Sequence, residues 1–198
     1  MQGKFITIYG INNIGKSTQA ARLVERLKRA NIDVVLLKYP IYDLEPTGPK
    51  INKILRESQE QPITEAELQT LFTQNRKDFE PTLKKMLADG KIVIAEDYIG
   101  TGIAWGTAKG LDLNWSENLN KDLLREDLAI LLIGQRDLRA QEKHHLHEQN
   151  EPLVQKVAGN LLNLAKKYGW KVIQVQPEME DTAELIWKEL ADFRFGKA

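Results

Sequence analysis

The chain has 198 residues, 42% of them hydrophobic, which is enough for one full-sized core and short for two, so a single domain over residues 1–198 is expected. Lys plus Arg and Asp plus Glu both number 28, which excludes a global field drawing the protein to nucleic acid or to a membrane surface. Cys is absent, excluding disulfides and thiolate metal sites; no apolar run approaches the ~18 residues of a spanning helix and no secretory leader is visible, so the expected location is cytoplasmic.

The first apolar run, Phe5-Ile6-Thr7-Ile8-Tyr9, reads as a buried strand. It leads directly into Gly10-Ile11-Asn12-Asn13-Ile14-Gly15-Lys16-Ser17, a complete G-x-x-x-x-G-K-S phosphate loop. Gly10 and Gly15 let the backbone turn tightly and approach phosphates without a clashing Cβ. Lys16 reaches the β and γ phosphates as a mobile point charge, and the Ser17 hydroxyl suits a Mg²⁺ that bridges them. Thr18 adds a hydroxyl at the start of an amphipathic helix, Ser17 to Ala30, whose Ala20, Leu23, Val24, Leu27 and Ala30 recur at helical spacing. Strand, loop and helix together form an anion cradle, so Gly10, Asn12, Asn13, Ile14, Gly15, Lys16, Ser17 and Thr18 are the expected ATP-binding set.

Val34 to Leu37 is the next strand, followed by Tyr39 to Pro49, a segment with three prolines and a glycine ahead of a short helix. Thr64 with Glu67 fits a capping box opening a helix to about Phe79, and Pro81 is predicted to restart a helix that stops at Asp89-Gly90. Further strands are expected at Ile92 to Ala95, Leu128 to Ile133 and Val172 to Val175, with helices at about Pro152 to Tyr168 and Asp181 to Leu190. Strands alternating with helices predict an α/β fold, a five-stranded parallel sheet sandwiched by helices. Two stretches break that pattern: Tyr39 to Pro49, and the polar, charged Arg136 to Glu151 after the fourth strand. Both leave from the carboxyl edge of the sheet, where α/β proteins bind ligands, and the second is the expected lid, about 136–151.

Three later segments, in order behind the phosphate loop, make nearly the whole chain resemble the thymidylate kinase family of phosphate-loop nucleoside monophosphate kinases. Leu71-Phe72-Thr73-Gln74-Asn75-Arg76 is similar to the family's base-binding helix, and Glu96-Asp97-Tyr98-Ile99-Gly100-Thr101-Gly102-Ile103-Ala104-Trp105-Gly106 lies where the family has an Asp-Arg-Tyr motif. The resemblance implies that Phe72 stacks on thymine and Arg76 donates to its O4; at i and i+4 the two share a helical face. The plain alternatives are a core aromatic and a solvated surface charge. It further implies that Thr101 and Gly102 line the nucleotide pocket and that Trp105 closes the sugar site, against the alternative of ordinary core packing. Glu96 stands where the family has the Asp that helps hold Mg²⁺, so Ser17 and Glu96 are the expected metal ligands, Glu96 through a water if its extra methylene requires one. The implied activity is ATP-dependent phosphorylation of thymidine monophosphate, with Mg²⁺, by a homodimer packed through helices.

The departures concern the acceptor phosphate. The family's Arg in the Asp-Arg-Tyr motif is Asp97 here, which repels a dianion, and the loop after the second strand carries Ile41, Tyr42 and Asp43 where many members place an Arg. Asn12 stands where the phosphate loop commonly has Asp. Replacement cations are sought in Lys38, Lys50, Arg76 and the lid. With no Arg between Gly10 and Lys16, the transition-state cation is assigned to the lid, to Arg139 and Lys143 in preference to Arg136, against the alternative of a solvated charged loop. His144, His145 and His147 lie in the same segment and are assigned no metal. Asp97 keeps two rivals open: a kinase for a nucleoside or another pyrimidine nucleotide, and a non-catalytic ATP-binding paralogue.

Overall fold

The structure, a computed structural model, describes residues 3–57, 61–137 and 150–195. Five strands, β1 (Lys4–Tyr9), β2 (Val34–Lys38), β3 (Ile92–Glu96), β4 (Leu128–Ile133) and β5 (Lys171–Gln174), pair in the order β2-β3-β1-β4-β5. All pairings are parallel. The three inner strands are buried at nearly every position, whereas β2 and β5 alternate or lie largely exposed. Continuous burial of an inner strand requires helices on both faces, and this is why those segments read as unbroken apolar runs.

Helices α1 (Lys16–Arg29) and α7 (Met179–Phe195) pack on each other; α1 also lies against β1, β2 and β3, and α7 against β4 and β5. On the other layer α3 (Glu65–Ala88), α4 (Ile99–Ala108) and α6 (Glu151–Tyr168) pack together, with α3 against β3 and α6 against β4. Short α2 (Thr47–Arg56) and α5 (Leu113–Leu119) lean on α3 and α4. Both expected segments that broke the strand–helix alternation follow strands of this sheet, and α6 begins at Glu151, so the helix takes the last residue assigned to the lid.

Two sequence expectations change. The predicted break near Pro81 is absent: α3 runs unbroken for 24 residues, with Pro81 inside it. Pro81 is exposed, while Leu68 and Leu83 on either side are fully buried, so packing along the whole length offsets the roughly 3 kcal/mol that a proline costs inside a helix through its missing N–H and ring clash. The predicted N-terminus is as expected, since the Thr64 hydroxyl accepts from the Glu67 amide at 3.2 Å and the Glu67 carboxylate accepts from the Thr64 amide at 2.8 Å. The second change is α4, which the sequence hides because it is buried almost all round and carries no amphipathic period.

Candidate functional site

The register sets the site. Lys38 pairs with Glu96 and Glu96 with Ile8, so the ends of β2, β3 and β1 align along one carboxyl edge. A cavity of about 650 Å³ runs along it, lined from the loops after β1, β2, β3, β4 and β5 and from α2 and α3. Order β2-β3-β1-β4-β5 places the change of winding direction beside β1, where open α/β sheets form their crevice.

The phosphate loop forms one end. Gly15 takes a φ of 99°, a left-handed value open to glycine, and α1 starts at Lys16 with no side-chain cap and no acidic residue in its first turn. A helix start of this kind presents amide donors and positive dipole to an anion. Asn12 to Thr18 line the cavity; Gly10 sits behind them, its carbonyl accepting from Lys16 Nζ at 2.9 Å. Lys16 Nζ also donates to the Ile11 carbonyl at 3.1 Å and lies 3.7 Å from Asp97 Oδ2. Beside it, Ser17 Oγ donates to Glu96 Oε2 at 2.7 Å, and Lys38 Nζ lies 3.6 Å from the same oxygen. A hydroxyl and a carboxylate side by side are hard oxygen donors, the chemistry Mg²⁺ takes while keeping water and phosphate ligands.

The opposite wall gathers the other expected residues: Phe72, Arg76, Glu96, Asp97, Thr101, Gly102 and Trp105 all line the same cavity. Phe72 is half-buried and stands outside the contiguous core, whereas Trp105 is both core and cavity wall. Arg76 is 5% exposed, far from a solvated surface charge. It donates to the Tyr98 carbonyl at 3.0 Å and to Asn120 Oδ1 at 3.2 Å, its Nε has no partner, and among the described residues it forms no ion pair. Burial pulls its pKa below the ordinary value, opposed by Tyr98, Tyr9, Tyr39 and Asp97. Gly102 makes room for it: a Cβ there would stand 2.9 Å from an Arg76 terminal nitrogen and from Gln69 Oε1. Asp97 holds a left-handed φ of 58°, with its amide on the Ile8 carbonyl at 3.2 Å and its Oδ1 accepting from Thr101 Oγ1 at 2.7 Å. Burial also raises the phenols Tyr39 and Tyr98 in this wall well above their ordinary value.

Several residues escaped the sequence reading. Asn75, fully buried, accepts from the Ile41 amide at 2.7 Å and donates to the Ile41 carbonyl and Thr47 Oγ1, both at 2.9 Å, tying the β2–α2 loop to α3. Its place one turn from Phe72 was the available signal. Asn120, just past α5, collects Arg76 and Thr73 and had no signal. Arg56 and Tyr42 line the cavity, with the guanidinium 4.7 Å from the ring centroid. Lys50 is exposed and absent from the lining, which removes it as an acceptor cation. Arg136 bonds Glu151 at 3.2 Å and is not part of the wall. Arg139, Lys143, His144, His145 and His147 lie outside the described residues. Among the described residues no helix is long and apolar enough to cross a membrane.

The thymidylate kinase family model matches residues 8–186. The chain is 32% identical over 199 aligned positions to a probable thymidylate kinase of Thermococcus onnurineus, covering 89% of this chain and 92% of the archaeal one. It is 30% identical over 169 positions to the thymidylate kinase of Schizosaccharomyces pombe, covering 84% and 79%. To protein 251L of Invertebrate iridescent virus 6 it is 34% identical over 134 positions, a match spanning 68% of this chain and 62% of the viral one. The solved thymidylate kinase of Candida albicans superposes with a TM-score of 0.83 at 23% identity, over 99% of this chain and 94% of the other, which is a likeness of fold.

Proposed function

The chain belongs to the thymidylate kinase family of phosphotransferases, and from that premise we propose that it moves the γ-phosphoryl group of ATP onto the 5′-phosphate of thymidine monophosphate. The observation that carries this reading is one continuous cavity joining the phosphate loop to the Phe72 and Arg76 face of α3. Donor and acceptor would then meet beneath the carboxyl edge of the sheet. In the step, an oxygen of the acceptor phosphate bonds to the γ-phosphorus while the bond from that phosphorus to the β–γ bridging oxygen breaks, and ADP leaves with the electron pair. Lys16 moves from the Gly10 and Ile11 carbonyls to the β and γ oxygens, where its charge tracks the one that develops. Ser17 and Glu96 would hold Mg²⁺, which when bound neutralises the phosphates and keeps them aligned. Phe72 stacks on the thymine ring; Arg76, buried with only neutral hydrogen-bond partners, donates to its O4. Trp105 fills the sugar end, leaving little room for a 2′-hydroxyl. Arg139 and Lys143 supply lid cations, closure excludes water as the competing acceptor, and the working form is a cytoplasmic homodimer.

A second reading is favoured by one observation, the Asp97 carboxylate facing the cavity where the family carries a cation. A carboxylate suits a neutral hydroxyl acceptor, so a nucleoside kinase is the rival. ADP release with ATP and Mg²⁺ against a panel of nucleosides and nucleoside monophosphates separates them. Turnover with thymidine monophosphate is expected; turnover with thymidine alone overturns the reading, and saturable ATP binding without any turnover favours a non-catalytic paralogue.

A further inference from the structure

A monophosphate acceptor brings a dianion into a wall that offers it Asp97, so a compensating cation is required on that side. Among the described residues, the lysines and arginines lining the cavity are Lys16, Lys38, Arg56 and Arg76. Lys16 belongs to the donor end. Arg76 is buried and held by the Tyr98 carbonyl and Asn120, beside the ring site. Lys38 has its ammonium 3.6 Å from Glu96, so the carboxylate already offsets part of its field.

Arg56 enters the cavity from a different element. It ends α2, next to Leu55, which is buried and lines the same cavity. Its guanidinium lies over the Tyr42 ring at 4.7 Å, and Asn52 Oδ1 accepts from one terminal nitrogen at 3.1 Å. A guanidinium set over a ring meets it through the cation, which leaves N–H donors for other partners. The backbone beside Tyr42 is anchored, because its neighbour Ile41 is bonded through both backbone groups to Asn75. An arginine oriented on a ring loses less rotamer freedom on binding, and its planar fork matches a phosphate in two hydrogen bonds.

We propose that Arg56, mounted on Tyr42, is the acceptor-phosphate clamp of this chain, assisted by Lys38, and that it makes the site select a nucleoside monophosphate over the nucleoside. This rests on the kinase reading above, and it relocates the acceptor cation from the loop after β2 and from position 97 to the last turn of α2. Tyr42 then serves as the platform for the cation supplied fourteen positions later.

Calorimetric titration of wild type, Arg56→Gln and Arg56→Lys with thymidine monophosphate and with thymidine, without ATP, tests the clamp separately from turnover. The expected result is a thymidine monophosphate Kd raised about tenfold or more in Arg56→Gln and partly recovered in Arg56→Lys, with thymidine binding unchanged within about twofold. Equal losses for the two ligands, or an Arg56→Gln Kd within twofold of wild type, overturn it. So does wild type that binds the monophosphate no tighter than thymidine. Absence of turnover in wild type, with the binding ratios as expected, defeats the kinase reading and leaves the clamp standing.

Discussion

The donor end and the acceptor wall of this cavity are built in opposite ways. The donor end is eight consecutive residues, Gly10 to Ser17, and its chemistry is mostly backbone: a turn permitted by glycine, amides at an uncapped helix start, and two side chains. The acceptor wall is assembled from the β2–α2 loop, the end of α2, one face of α3 and the β3–α4 junction. A backbone device has one solution and tolerates little drift. A wall of side chains can exchange one cation for another, provided the charge returns from a neighbouring element.

The largest expected effect breaks the donor end. Lys16→Ala lowers kcat by on the order of 10²–10³-fold, the cost of one preorganised donor, with the melting temperature close to wild type. Retention of most activity would mean that another cation serves the γ phosphate. Next, Phe72→Ala raises KM for thymidine monophosphate on the order of tenfold or more, as stacking of a base on an aromatic is worth about 1–3 kcal/mol, while KM for ATP stays put. Parallel losses in both would place Phe72 outside the acceptor wall.

Asp97→Asn sharpens the border between the two regions. Asp97 would compete with ATP for Lys16 across 3.7 Å, in a largely buried ion pair. Removing the charge should tighten ATP binding severalfold in a fluorescent-nucleotide titration; weaker binding would assign Asp97 to organising the phosphate loop. The smallest effect lies outside the site. Hydrogen bonds from the Thr64 hydroxyl, and then from its amide, hold the Glu67 carboxyl below its ordinary 4.5. A folded pKa lower than the unfolded one gives stability that is present above 4.5 and lost as the pH falls through the folded value. Glu67→Gln should therefore flatten the drop in melting temperature between about pH 6 and pH 3 by a small amount, and an unchanged drop would show that the charge of Glu67 contributes nothing there.

Sheet, phosphate loop and helices α1 and α6 were legible because each is encoded locally, by period or by a contiguous motif. The five strands fall within a residue of their apolar runs. The continuity of α3 through Pro81 was not legible, since the compensation comes from Leu68 and Leu83 packing on other elements. Nor was α4, whose all-round burial erases the amphipathic signal. In the acceptor wall, Phe72 and Arg76 could be picked out by likeness, whereas Asn120 and Arg56 reach the cavity only through tertiary placement. An arginine at the end of a short helix looks in sequence like any solvated charge; its position over Tyr42 gives it a distinct role.

The most direct test of a phosphate-accepting wall that lacks the family arginine is the product formed by wild type from ATP and Mg²⁺ with thymidine monophosphate and thymidine in equal amounts, identified by mass spectrometry. Thymidine diphosphate is expected to accumulate while thymidine is left unchanged. Thymidine monophosphate newly formed from thymidine, with no diphosphate, would contradict it.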